Sequence, residues 1–305
     1  MFKKTLQKGE DHQLATARSR RDRMMLLPAM IVMVAFAVYP MIYLVYTSLY
    51  YYVYTMPSSR HFVGLKNFLD LISDPDFRKT LFNTAFILGG SLLIEMVVGI
   101  GLGLVFARQN LLTKLGRVLL ILPMATSPIV ASQVWYLMFE SSGPLNYYLG
   151  KLGLGNVVWL SNTWTARYAI IIADFWEWTP FVILIVCTAV MGVSKEFVEA
   201  ARIDGATKIE EIRYVTLPTI KSALSVAFLF RLVDLFRNFD LVFGLTYGGP
   251  GYATETLGMA IYRAGFFTWS MGKSAAMSVI MMIITGLIGS QASKRLLKDV
   301  DKEEG

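Results

Sequence analysis

The sequence predicts an all-α, polytopic membrane protein with six transmembrane helices. Three observations carry that prediction. Hydrophobic residues make up 55% of the 305-residue chain, charged residues only 17%, and the mean hydropathy is +0.51. A soluble domain is about 25% charged. Apolar runs long enough to cross a bilayer recur along the chain, and most basic residues gather in the segments between them. The formal net charge of +7 therefore reads as membrane orientation, not as a nucleic-acid face. Cys187, the single cysteine, lies in an apolar run, so no intrachain disulfide can form and no cysteine metal cluster exists. The two histidines, His12 and His61, lie outside the apolar runs, which excludes histidine-based catalysis within the membrane.

Residues 1–23 form a basic tail with Lys3, Lys4, Lys8, Arg18, Arg20, Arg21 and Arg23. The uncharged run at 24–49 is longer than a signal-peptide core, which is about 7–15 residues, so it reads as the first span. Pro40 is placed to kink it. Tyr39, Tyr43, Tyr46 and Tyr50 to Tyr52 suit the outer interface. Residues 51–83 read as an external loop with one short helix. The second span is predicted at 84–107, with Glu95 as its one charge. A short basic loop at 108–117 leads to a third span at 118–139, where Pro123 and Pro128 predict irregular helix. Residues 140–166 read as an external loop broken by glycines, with Trp159 and Trp164 near the interface. The fourth span is predicted at 167–191 and contains Asp174, Trp176, Glu177 and Trp178. The fifth follows at 222–245, a glycine-rich loop at 246–256, and the sixth span at 274–293. A tail at 296–305 follows; Lys294, Arg295 and Lys298 close the last span on the basic side.

Six spans put both termini on one side. That side carries nineteen Lys and Arg, the other eight, and two lie at membrane depth. The positive-inside rule then places both termini in the cytoplasm, together with the polar segment 192–221. Local chemistry predicts that this segment holds two short helices. Ser194 caps the first and Gly205 ends it in a left-handed turn. Thr207 and Glu210 have the spacing of a capping box for the second. Ile209, Ile212 and Val215 give that helix an apolar stripe, and Pro218 is expected to stop it. A helix-kink-helix on the aqueous side suits the groove of a partner protein; an ordinary connecting loop is the plainer reading.

The fifth span carries Arg231, Asp234, Arg237 and Asp240. Each costs about 2.5–3.5 kcal/mol near a helix centre, so the helix must face other helices or a watery cavity. Arg231 with Asp234, and Arg237 with Asp240, are spaced to pair. Arg231, Asp234, Leu235 and Asn238 share one helical face. This face reads as a solute path or as a salt-bridge network locking helices together. Glu177, Trp178 and Phe181 add a carboxylate and aromatic faces from the fourth span, a combination suited to a sugar ring. Glu95 reads equally as a packing contact. Gly272, Lys273 and Ser274 resemble the end of a phosphate-binding loop, but Phe267 stands where its first glycine is required. Any ATP must therefore bind another subunit. Gly99, Gly101 and Gly103 are spaced by two and read as flexibility or close packing, not as a dimer seam with four-residue spacing.

Glu199, Ala200, Ala201, then Gly205, then Leu217 and Pro218 resemble the EAA loop of ABC-importer permeases. Thr246, Tyr247, Gly248, Gly249 and Pro250, followed by Thr254 and Thr256, resemble the carbohydrate branch, in particular its maltose-type permease with Gly-Gly-Pro after the penultimate helix. Pro40, the run Gly64 to Phe68 and the run Met271 to Ala275 fit the same pattern. The resemblance covers residues 24–295. It implies the type I ABC importer permease fold in its six-helix form and a plasma-membrane (bacterial inner-membrane) location. It also implies a second homologous permease, two ATP-binding cassette subunits and an external solute-binding protein as partners. This chain would bind no cofactor; ATP and Mg would lie in the ATPase subunits. Residues Glu199, Ala200, Ala201, Asp204, Gly205 and Ala206 would couple to the ATPase. Family solute positions would fall on Glu177, Trp178, Phe181, Arg231, Asp234, Leu235 and Asn238. The charges of Glu177, Arg231 and Asp234 depart from the maltose-type pattern, leaving a sugar, a polyol or an anionic sugar derivative as solute. The alternative from another class is an ion-coupled secondary transporter using Glu95, Asp174 or Asp234.

Overall fold

The computed structural model describes residues 26–28 and 30–303; the basic tail predicted at 1–23 lies outside them. Helix α1 spans Leu26–Ser48 and buries none of its apolar window within the chain. A two-stranded antiparallel ladder follows, β1 (Tyr50–Tyr51) on β2 (His61–Phe62), with Tyr50 opposite Phe62. Asn67, in α2 (Lys66–Ser73), closes this turn by donating to the Ser48 and Tyr50 carbonyls at 2.7 and 2.9 Å. Helix α2 is the short helix expected in the first external segment. That segment is shorter than predicted, because α3 runs from Pro75 to Phe106. Asp74 caps it and Pro75 takes the first turn, where no N–H is required.

The third pass departs from a single helix. It runs through α4 (Leu111–Leu119), α5 (Ile121–Met124), α6 (Pro128–Phe139) and α7 (Pro144–Lys151). The halves meet at 97° around 125–127. Most of the basic loop predicted at 108–117 is therefore the start of α4, capped by Asn110 and Thr113. The two prolines interrupt the ladder as expected, and α7 occupies part of the predicted loop at 140–166. Helix α8 (Thr163–Met191) crosses unbroken at the centre, with 61% of its apolar window buried.

Helices α9 (Lys195–Ile203), α10 (Lys208–Glu210) and α11 (Leu217–Thr219) build the polar segment, with a π-turn over Glu211–Thr216 between the last two. Pro218 does not stop the second helix. The helix continues to Thr219 and bends by 68° into α12 (Lys221–Leu235). The wider π-turn just before Pro218 accommodates its ring and missing N–H, so the break moves to Ile220. Helix α12 has 15 residues and rises about 22 Å, short of a bilayer core of about 30 Å. The chain breaks at 236–239 and resumes as α13 (Asp240–Leu245). Helix α14 (Leu257–Phe266) lies outside the spans, and α15 (Met271–Glu303) carries the last one, continuing through most of the tail predicted at 296–305. Among the described residues four helices are long and apolar enough to span alone, and the two bent pairs raise the number to as many as six if each is one span.

The core is the seam between α3 and α8. Gly90, Gly99 and Gly103 face Ile171, Val182 and Val186, and a Cβ on any of them would come within 2.7 Å of the facing side chain. Gly99 and Gly103 do have the four-residue spacing, but the seam is internal to the chain; Gly101 faces open space. A second cluster joins α3, α6, α8, α13 and α14 around Ile87, Phe139, Ile170, Leu241 and Met259.

Candidate functional site

The intramembrane charges converge. Arg231 is fully buried and binds Glu95 of α3 through two parallel hydrogen bonds, Nε to Oε2 at 2.7 Å and Nη2 to Oε1 at 2.8 Å. Nη2 also donates to Asp174 of α8 at 3.1 Å, and Nη1 to Asp234 at 2.6 Å. The Trp178 ring covers the guanidinium at 4.7 Å. Asn238 donates to the other Asp174 oxygen at 2.9 Å. One arginine thus ties α3, α8 and α12 together at membrane depth.

The predicted face changes in two ways. Asn238 lies in the break after α12, so it reaches Asp174 from irregular backbone and not from a helical ridge. Leu235 is buried at 5% exposure and adds an apolar contact. The predicted Arg231–Asp234 pair forms, but among the described residues no ion pair joins Arg237 to Asp240, because the break separates them. Both side chains are exposed. Glu95 is the satisfied buried contact of the plainer reading, and its partner is Arg231. A buried acid in one span and a buried arginine in another do signal a pair, but nothing local says which acid is chosen. Phe181 packs against Phe230 with rings tilted by 33° and centroids 5.0 Å apart, and meets Trp178 edge-on at 6.5 Å. Glu177 is buried at 1% exposure, and neither carboxylate oxygen has a hydrogen-bond partner among the described residues.

The second candidate site is the polar helix pair. Ser194 caps α9. Gly205, at φ +84°, closes it: its N–H donates to the Arg202 carbonyl and Ala206 N–H to the Ala201 carbonyl. That pair of bonds is a Schellman motif, which only a residue comfortable at positive φ permits. Thr207 and Glu210 form the reciprocal box, whose hydroxyl and backbone N–H hold the Glu210 carboxyl below its ordinary range. Arg202 grips Glu211 through two bonds of 2.9 and 3.2 Å and fixes the angle across the turn. Glu199, Ala200, Asp204 and Gly205 are exposed, and Ala201 and Ala206 half-buried. Phe197, Ile203, Ile209 and Tyr214 are uncovered at 63, 85, 77 and 66% exposure. Of the predicted stripe, Ile212 and Val215 turn inward while Ile209 faces out.

The glycine-rich loop at 246–256 is held by residues that sequence reasoning missed. Arg167 donates to the Ala253 carbonyl at 2.9 Å and to Asn83 Oδ1 at 2.8 Å; Asn83 in turn donates to the Tyr252 carbonyl at 2.9 Å. The Thr246 and Thr254 hydroxyls meet at 2.7 Å. Tyr247, Gly248, Gly251 and Tyr252 all hold positive φ. Burial raises the Glu255 carboxyl above its ordinary range, against the pull of Arg263. Arg167→Ala is expected to leave Asn83 Oδ1 and the Ala253 carbonyl without the bonds it donates, and to cost about 2–4 kcal/mol. The check is a drop in midpoint on thermal unfolding in detergent and faster proteolysis at 246–256; Arg167→Lys should recover part of both.

The chain is similar to known membrane transport proteins. A protein of Sinorhizobium fredii named as an ABC transporter permease, y4oQ, is 32% identical over 292 residues, covering 93% of this chain and 94% of its own. The trehalose/maltose transport system permease protein MalF of Thermococcus litoralis is 31% identical over 262 residues, covering 86% and 88%. Among solved structures, a chain of a bacterial alginate ABC transporter, crystallised with its alginate pentasaccharide-bound periplasmic protein, superposes with a TM-score of 0.78 at 23% identity. It covers 90% of this chain and 93% of that one. Residues 96–300 match the family described as the inner membrane component of binding-protein-dependent transport systems. The long apolar helices and these matches agree, and the chain belongs to that family of inner-membrane transport components.

Proposed function

We propose that this chain is one permease of a binding-protein-dependent ABC importer for a sugar, a polyol or a sugar derivative. It forms half of the solute path, and a second homologous permease forms the other half. The observation that carries this reading is the helix pair α9–α11. It is polar and lies between two membrane passes, yet it leaves Ile203 and Ile209 uncovered at 85 and 77% exposure. Uncovered apolar side chains on a rigid, twice-capped turn suit a groove on a partner. Two ATP-binding cassette subunits would supply that groove, bind ATP and Mg, and drive the change from inward-open to outward-open. An external solute-binding protein would deliver the solute on the other face. Both termini are cytoplasmic in this reading, as the distribution of Lys and Arg favours. Glu199, Ala200, Ala201, Asp204, Gly205 and Ala206 form the coupling surface. Glu177, Trp178, Phe181, Arg231, Asp234, Leu235 and Asn238 border the path. The sugar-like solute is supported by the names of relatives such as the trehalose/maltose permease.

Gly205→Pro abolishes the positive-φ turn and the Gly205 N–H bond, while Glu199→Lys leaves the backbone intact and reverses one charge. Both are expected to insert normally and to cut ATP-driven uptake by more than about tenfold, a loss of roughly 1.4 kcal/mol in docking. Co-purification of the ATPase and uptake in proteoliposomes check this. Full uptake in both variants would remove the helix pair from the coupling role.

A further inference from the structure

A groove opens between α1 and α15, at the end of α1 that leads into β1. Its cavity is about 420 Å3, within the range of small-molecule sites. Tyr39, Tyr43, Leu44 and Thr47 form the α1 wall; Ser274, Ala275 and Ser278 form the α15 wall. The α15 residues are small and leave the space between the helices unfilled. Both serine hydroxyls donate to backbone carbonyls, Ser274 to Ile261 and Ser278 to Ser274, each at 2.9 Å. Thr47 Oγ1 is covered. The groove is therefore apolar and offers water few partners. From Tyr39 to Thr47 a helix rises about 12 Å, most of the roughly 15 Å depth of one hydrocarbon leaflet. A cation stands beside it. Tyr52 lines the groove and is one of three rings around Arg60, whose guanidinium lies 5.4, 5.0 and 5.0 Å from the centres of Tyr46, Tyr50 and Tyr52. The rings fix the guanidinium without consuming its N–H donors. Arg60 is exposed, and among the described residues no carboxylate pairs with it.

We infer that this groove holds one phospholipid, with an acyl chain between α1 and α15 and the phosphate on Arg60. An apolar slot as deep as one leaflet, with an unpaired cation beside it, matches the two halves of that ligand. An arginine takes a phosphate through two parallel N–H bonds. Tyr54, which also lines the groove, stacks on Trp269 at 5.6 Å, an aromatic pair suited to headgroup level. The lipid joins α1, which buries none of its apolar window within the chain, to the last span. The inference rests on membrane embedding alone and is independent of the solute.

The test titrates lipid into the assembled transporter, delipidated in tetraethylene glycol monooctyl ether, and counts retained molecules by native mass spectrometry. The probes are dioleoylphosphatidylglycerol and dioleoylglycerol, which lacks the phosphate. One tightly held phosphatidylglycerol is expected per copy of this chain, with dioleoylglycerol about tenfold weaker. Arg60→Gln should weaken phosphatidylglycerol about tenfold and leave dioleoylglycerol unchanged. Ser278→Phe, which fills the groove, should remove both; Leu44→Trp fills it from α1 if Ser278→Phe does not assemble. Retention of phosphatidylglycerol that is unchanged by either substitution overturns the inference, as does equal affinity for the two lipids. Displacement by millimolar inorganic phosphate would make Arg60 a site for the free anion and overturn it too. Absence of any tightly held lipid from the assembled transporter would mean that protein covers the groove, and the inference would fall.

Discussion

Replacing Arg231 with methionine is expected to cost the folded permease about 3–5 kcal/mol, the usual penalty for removing one partner of a buried ion pair. The side chain it replaces is fully buried and bridges three carboxylates on three helices. Methionine fills much of the volume, so the loss is chiefly electrostatic. Glu95, which is also fully buried, would keep a charge with no guanidinium opposite it. The expected result is a protein that reaches the membrane but elutes as aggregate after extraction, with a lowered unfolding midpoint. Glu95→Gln added to Arg231→Met should recover a large part of the loss, because it removes the charge left behind. If the double variant is no more stable than the single, packing and not charge explains the effect. The α3–α8–α12 tie would then be a steric contact.

Gly103→Leu is expected to be comparably damaging, at 3 kcal/mol or more, the upper end for overpacking. Its Cβ would fall 2.6 Å from both Cβ and Cγ1 of Val186 and 3.2 Å from the Ile183 carbonyl. Val186 is itself completely buried in α8, and a backbone carbonyl cannot rotate away. Helices α3 and α8 would have to part along the seam that places Glu95 opposite Arg231. Val186→Ala in the same chain should return part of the stability, while Gly101→Leu, which faces open space, should be tolerated. Thermal unfolding of the four variants in one detergent measures the coupling. Equal stability of Gly103→Leu and Gly101→Leu would mean that the helices do not approach as described.

The legible parts of the chain were those whose interactions stay within about one helical turn. Long apolar runs give the membrane passes, since burial in hydrocarbon depends on the composition of some twenty consecutive residues. Ser194, Gly205, Thr207 and Glu210 announce the ends of α9 and α10 because a cap bonds two or three residues away. The Arg231–Asp234 pair was readable for the same reason, at a separation of three. Tertiary packing decided the rest. Glu95 and Arg231 are 136 residues apart, and Asp174 and Asn238 are 64 apart. Which acid meets which donor depends on the faces that α3, α8 and α12 turn toward each other, and the glycine seam sets those faces. The break at 236–239 was hidden because Phe236, Arg237, Asn238 and Phe239 include neither proline nor glycine, so nothing local forces the helix to end there. Local composition thus determined how many times the chain crosses and where its polar handle begins and ends. The charge centre inside the bilayer was decided by long-range contacts, since a buried charge takes its partner from whichever helix packing brings within reach.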